Sequence, residues 1–135
     1  MRRWIHIALP LLLIAAGIAW ILRGGTGTGP VELPARGLYY AVTVALEPST
    51  GPVEARVKVD PAAPAEVSLF AVMPHMGHTT PEIVAESDGP GRYVARGELF
   101  TMTGAWEIAV RVRGPSGTEI VKVTTLVGQG ERETP

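Results

Sequence analysis

The sequence predicts an all-β domain carried behind one N-terminal transmembrane helix. Three observations predict it. An apolar run of membrane-spanning length opens the chain, the remainder alternates apolar and polar residues between Gly/Pro turns, and no stretch repeats apolar residues at helical spacing. At 135 residues there is room for one domain. The roughly 110 residues beyond the apolar run suffice for an ordinary core without disulfide or metal staples.

Arg2 and Arg3 precede an apolar run from Trp4 to Leu22, broken only by His6 and followed by Arg23. Nineteen residues just cross a bilayer as a helix. Trp4 and Trp20 lie near its ends, where amphipathic rings prefer the interface, and Pro10 is tolerated at the cost of a kink. Two arginines before the run and one after it put the N-terminus inside and the domain on the extracytoplasmic side of the cytoplasmic membrane. The alternative is a cleaved signal peptide. Its small-residue site, Ala15-Ala16-Gly17, falls early, and the apolar character continues past it. Residues 1–23 are thus read as a membrane anchor, or an uncleaved signal, and residues 24–37, rich in Gly and Pro, as a flexible linker. A phosphate-binding loop would need a strand before the glycines and a helix after them, and neither is indicated.

Residues 38–127 form the domain. Leu38 to Leu46 is the first expected strand. In the second, Val53, Ala55, Val57 and Val59 face one way while Glu54, Arg56, Lys58 and Asp60 face the other. Asp60-Pro61-Ala62-Ala63-Pro64 ends it, Glu66 to Val72 makes a third, and Pro81 to Ser87 a weaker fourth. Arg92 to Leu99 follows a Ser-Asp-Gly-Pro-Gly turn. Ala105 to Arg113 is the clearest strand, with Trp106, Ile108, Val110 and Val112 inward, and Gly114-Pro115-Ser116-Gly117 turns it into Thr118 to Val127. Residues 128–135 are polar and read as a flexible tail. About seven short strands with no intervening helix predict an immunoglobulin-like β-sandwich, with Trp106 as its large core side chain.

Chemistry concentrates in Met73-Pro74-His75-Met76-Gly77-His78. Pro74 and Gly77 make it a loop, and Met102 lies beside a second turn. Thioether plus imidazole suits copper, Cu(I) above all and Cu(II) where His dominates, and suits oxygen-seeking cations poorly. Zinc does not ordinarily take Met. His75, His78 and Met76 are the leading ligands, then Met73 and Met102, each of which also fits a core position. Cysteine is absent, so thiolate sites and redox dithiols are excluded. From Gly24 onward nine Lys/Arg face thirteen Asp/Glu, a net charge of −4, which excludes the basic footprint of a nucleic-acid binder. Catalysis is not expected. Ser116 sits in a turn and not a nucleophile elbow, Asp60 and Asp88 belong to turn sequences, and Glu82 and Glu86 read as solvated strand positions before a base or hard ligand.

Three separated motifs, Met73-Pro74-x-Met76-x-His78, Gly91-Arg92-Tyr93 and Met102-Thr103-Gly104-Ala105-Trp106, resemble the YtkA-like domain family, related to FixH-like proteins, over about residues 38 to 127. The resemblance implies a small extracytoplasmic β-sandwich, often membrane-tethered and associated with copper proteins or the maturation of copper-containing haem oxidases. It places Met73, Met76, His78 and Met102 at motif positions and His75 at a variable one. The expectation is a membrane-anchored copper-binding protein without enzymatic activity, delivering or storing copper for a respiratory oxidase. The alternative is a non-metal interaction module that assists assembly of a membrane complex.

Overall fold

The computed structural model describes residues 30–128 with the exception of Pro64. Among these, no helix is long and apolar enough to cross a membrane. The expected anchor at 1–23 lies outside the described residues, as do 24–29 of the linker and all of the tail but Gly128.

Ten strands follow in chain order: β1 (Val31–Arg36), β2 (Ala41–Leu46), β3 (Gly51–Asp60), β4 (Glu66–Met73), β5 (His78–Thr79), β6 (Ile83–Val84), β7 (Glu86–Ser87), β8 (Arg92–Phe100), β9 (Gly104–Gly114) and β10 (Gly117–Val127). The only helical element among the described residues is a 3₁₀ turn, Pro74–Met76. One sheet runs β1-β2-β3-β8-β7 and the other β10-β9-β4-β5, with β6 also paired to β4. Their inner faces share one core, so the domain is a two-sheet β-sandwich. Each sheet has five strands.

The strict alternation of β3 is reproduced in its burial. Val53, Ala55, Val57 and Val59 are buried and their neighbours exposed. Trp106, Ile108, Val110 and Val112 bury the inward face of β9. Fully burying side chains of this size stabilises the fold by about 1.5–3 kcal/mol each. The four strands β3, β4, β8 and β9 are central in their sheets and carry much of this core.

Three expectations change. Residues 31–36, expected within the linker, form β1, paired along its length with β2 from Val31↔Leu46 to Arg36↔Ala41. Leu33 and Ala35 pack on the core, and Pro34, which has no N–H to donate, is tolerated because β1 is an edge strand. The strand expected from Leu38 begins instead at Ala41, because Gly37 N–H donates to Tyr40 O (2.8 Å) and closes a turn that leaves Leu38 91% exposed. The strand expected over Pro81 to Ser87 is broken into β6 and β7, which belong to different sheets. The break falls at Ala85, whose N–H bonds Val67 O (2.8 Å) just before the chain crosses to the other sheet.

Register fixes the two ends of the sandwich. One end gathers the start of β1, the β2–β3 loop, the β4–β5 loop, the β8–β9 loop and the end of β10, since Val31 pairs Leu46, Gly51 pairs Phe100, Met73 pairs His78 and Gly104 pairs Val127. The other gathers the turns at 37–40, 61–63, 88–91 and 115–116.

Candidate metal centre

Every candidate ligand lies at the first of these ends. β4 delivers Met73 as its last residue, and Pro74, free of any need to donate, opens the 3₁₀ turn that carries His75 and Met76 outward. Gly77 ends the turn in the left-handed conformation (φ 59°), which glycine adopts without a Cβ penalty, and its N–H returns to Pro74 O (3.4 Å). The chain comes back as β5, putting His78 opposite Met73. Thr80 then pins the return. Its N–H donates to Ala71 O (2.9 Å), and its hydroxyl accepts from Ala71 N–H (2.9 Å) and lies 3.3 Å from Ala71 O. A buried side chain thereby supplies ladder bonds where the edge strand is interrupted.

Trp106 is the hub. Its ring is fully buried, 5.8 Å from that of Phe100, and His78 stands edge-on to it at 6.1 Å with the planes at 71°. The indole N–H donates to the carbonyl of Met102 (2.9 Å), which fixes the β8–β9 loop against the loop that bears the histidines. Gly104, at φ 133°, completes the approach. A Cβ there would stand 3.1 Å from the Met73 methyl group.

The five candidates therefore divide. His78 stands against Trp106, Met102 meets it through its backbone carbonyl, and the Met73 methyl group lies beside Gly104: Met73 is 5% exposed and part of the core, Met102 is 38% exposed, and His78 faces solvent. His75 and Met76 project from the turn, Met76 being 65% exposed. Among the described residues no group of three or more His, Asp or Glu side chains converges, so a metal at this end would depend on thioether ligands. Sequence reasoning took Trp106 as core alone and gave no role to Thr80. The four-residue spacing from Met102 to Trp106 across Gly104 was the available signal for the first. Thr80 had none, because its partner lies on another strand.

Glu82 and Glu86 do not join this site. Glu82 receives both contacts of Arg111 Nη1 (2.6 Å each) and the Ser68 hydroxyl, on the outer face of the β4–β9 sheet. The Ser68 hydrogen bond, with the Arg111 charge behind it, holds the Glu82 carboxyl below its ordinary value. Arg111 also lies over the Phe70 ring, 5.7 Å from its centre. Glu86 belongs to β7 in the other sheet. These groups form a structural ion pair and a strand edge, not an acid–base pair.

No family model matches the chain, and no curated protein matches it, so the YtkA-like resemblance stands on its motif residues. Among solved structures, the chain is similar to a copper-bound variant of FetP from uropathogenic Escherichia coli strain F11. Identity is 10%, the match covers 79% of this chain and 98% of that one, and the TM-score is 0.47. Likeness at that level assigns neither family nor function.

Proposed function

We propose that the domain is a copper-binding module, tethered to the outer face of the cytoplasmic membrane, that stores copper or delivers it to a respiratory oxidase. One observation carries the reading: the loop that bears the histidines and the loop that bears Met102 meet at one buried tryptophan, through the His78 ring and the Met102 backbone carbonyl, with no cluster of carboxylates among the described residues there. Soft and borderline ligands without hard competitors favour copper over calcium, magnesium or manganese. In this reading His78, Met73 and Met102 hold the ion, with Met73 approaching from the core side, and the exposed His75 and Met76 exchange it with solvent or an acceptor. No step requires the protein to change the oxidation state of the metal, and no enzymatic activity is proposed.

The test is a Cu(I) titration of residues 30–135 against a competing chelator, alongside His75→Ala/His78→Ala and Met73→Leu/Met102→Leu. Stoichiometric binding that weakens at least tenfold in each double variant supports the site. A folded wild-type domain that leaves all the copper with the chelator sinks it, and the loop then becomes the docking element of a non-metal assembly module.

A further inference from the structure

The ends of the sandwich differ in charge, while both expose apolar side chains, Leu38 (91%) and Tyr39 (53%) at the far end. At the Met/His end, residues 30–31, 46–52, 73–81, 99–104 and 125–128 contain one residue charged at neutral pH, Glu47. The same end exposes Val31 (37%), Met76, Met102 and Leu126 (74%). β1 also begins here, so whatever precedes Val31 joins the domain at this end. Seven residues, Gly24 to Pro30, separate β1 from the apolar run that ends at Leu22 and Arg23. Whatever their conformation, seven residues reach at most about 25 Å. The far end, beyond the eleven residues of β10, lies roughly 35 Å further off.

From this we infer that the Met/His end is a membrane-facing surface that rests on the lipid–water interface of the bilayer holding the N-terminal run. The inference rests on the anchored reading above and adds the orientation and the occupant. Exposed apolar side chains on a surface almost free of charge are costly in water and at home in the interfacial region. They are too few to bind a membrane unaided, but a short tether raises the effective concentration to the order of millimolar, where weak contacts suffice. Copper held at this end would be presented along the membrane surface, to an acceptor embedded in the same bilayer.

The absence of cysteine makes the test direct. The full chain, carrying a single donor dye at Thr50→Cys on the Met/His end or at Ser116→Cys on the far end, is reconstituted into vesicles of phosphatidylethanolamine and phosphatidylglycerol with a headgroup-linked acceptor. Energy transfer is then measured with the native tether, with a tether lengthened by Gly/Ser residues, and in Met76→Ser/Leu126→Ser. The expected result is strong transfer from Thr50→Cys and weak transfer from Ser116→Cys with either tether, a contrast that the double variant abolishes with the long one. A contrast lost on lengthening the tether alone, or indifferent to the double variant, overturns the inference, because the tether and not the surface then orients the domain. A contrast seen in native membranes but not in lipid vesicles overturns the lipid occupant in favour of a membrane protein. Flotation separates the premise: a chain that stays in the aqueous fraction fails as an anchored protein before any orientation is read.

Discussion

The Met/His end of the sandwich and its opposite end are built from the same strands but held by different chemistry. At the far end polar and charged groups make the closures. Glu119 Oε2 accepts from Tyr39 N–H (2.7 Å), Tyr40 OH donates to Gly117 O (3.3 Å), and Arg36, Lys58, Asp60, Glu66, Asp88, Arg92 and Arg113 flank the turns. At the Met/His end a buried indole, a glycine and a threonine do the positioning, and they use neutral groups only. The difference teaches how one fold can segregate charged and neutral closures to opposite ends. Charge is kept where it solvates the domain and away from the Met and His side chains.

The strongest way to break this comparison is to remove the hub. Trp106→Ala opens a cavity beneath both loops and is expected to cost about 3–5 kcal/mol in urea unfolding. Trp106→Phe keeps most of the volume but leaves the Met102 carbonyl without its donor, at about 1 kcal/mol. If the indole positions the second loop, Trp106→Phe also weakens Cu(I) binding while the unfolding transition stays cooperative. Unchanged affinity would reduce Trp106 to packing.

Next in size is the pin. Thr80→Val has nearly the same shape but leaves the Ala71 N–H without its partner in a buried position, an expected loss of about 1–3 kcal/mol. Hydrogen exchange at Ala71 would rise with it. At the far end Glu119→Ala removes the acceptor for Tyr39 N–H, at about 1 kcal/mol by thermal unfolding, and leaves Cu(I) affinity unchanged. His78→Ala should show the reverse pattern, within about 0.5 kcal/mol of wild type in stability and weaker for copper. If both variants lowered both quantities, the two ends would not be independent.

How much of this the sequence revealed follows from where each signal resides. β3 and β9 were legible because burial on one face imposes a period of two, which Val53 to Val59 keep without a break and Trp106 to Val112 keep except at the buried Ala109. β1 was not legible. Pro34 and the preceding glycines read as linker, and only pairing with β2 makes the segment a strand. The strand expected over Pro81 to Ser87 was found, but its division into β6 and β7 was not legible, since a chain that switches sheets after two residues leaves no periodicity to count. At the site, the clustering of His75, Met76 and His78 was visible because it is local. Met73's burial was left open by a residue type that serves equally as ligand and core filler. The Trp106–Met102 and Thr80–Ala71 bonds depend on how loops meet in space, and composition carries no trace of that.

The smallest expected effect comes from the flank between the two ends, where Ser68, Arg111 and Glu82 meet. Because the folded state holds the Glu82 carboxyl below its ordinary value of 4.5, the ionised form is favoured on folding. That contribution is fully present above the unfolded value and is lost as pH falls through the depressed folded one. Both side chains of the Arg111–Glu82 pair are about one-third exposed (33% and 36%), so solvent screening limits its worth to at most about 1 kcal/mol. Ser68→Ala removes the largest cause of the shift. The stability gap between wild type and Ser68→Ala, measured by urea unfolding from neutral pH down into the acid range, should therefore narrow below pH 4.5. Cu(I) affinity at neutral pH should be equal in the two proteins, since this cluster lies outside the Met/His end. A gap that stayed constant into acid would mean that Ser68 acts through packing alone. A change in copper affinity would mean that the flank is coupled to the loops through β4, which runs from Ser68 directly to Met73.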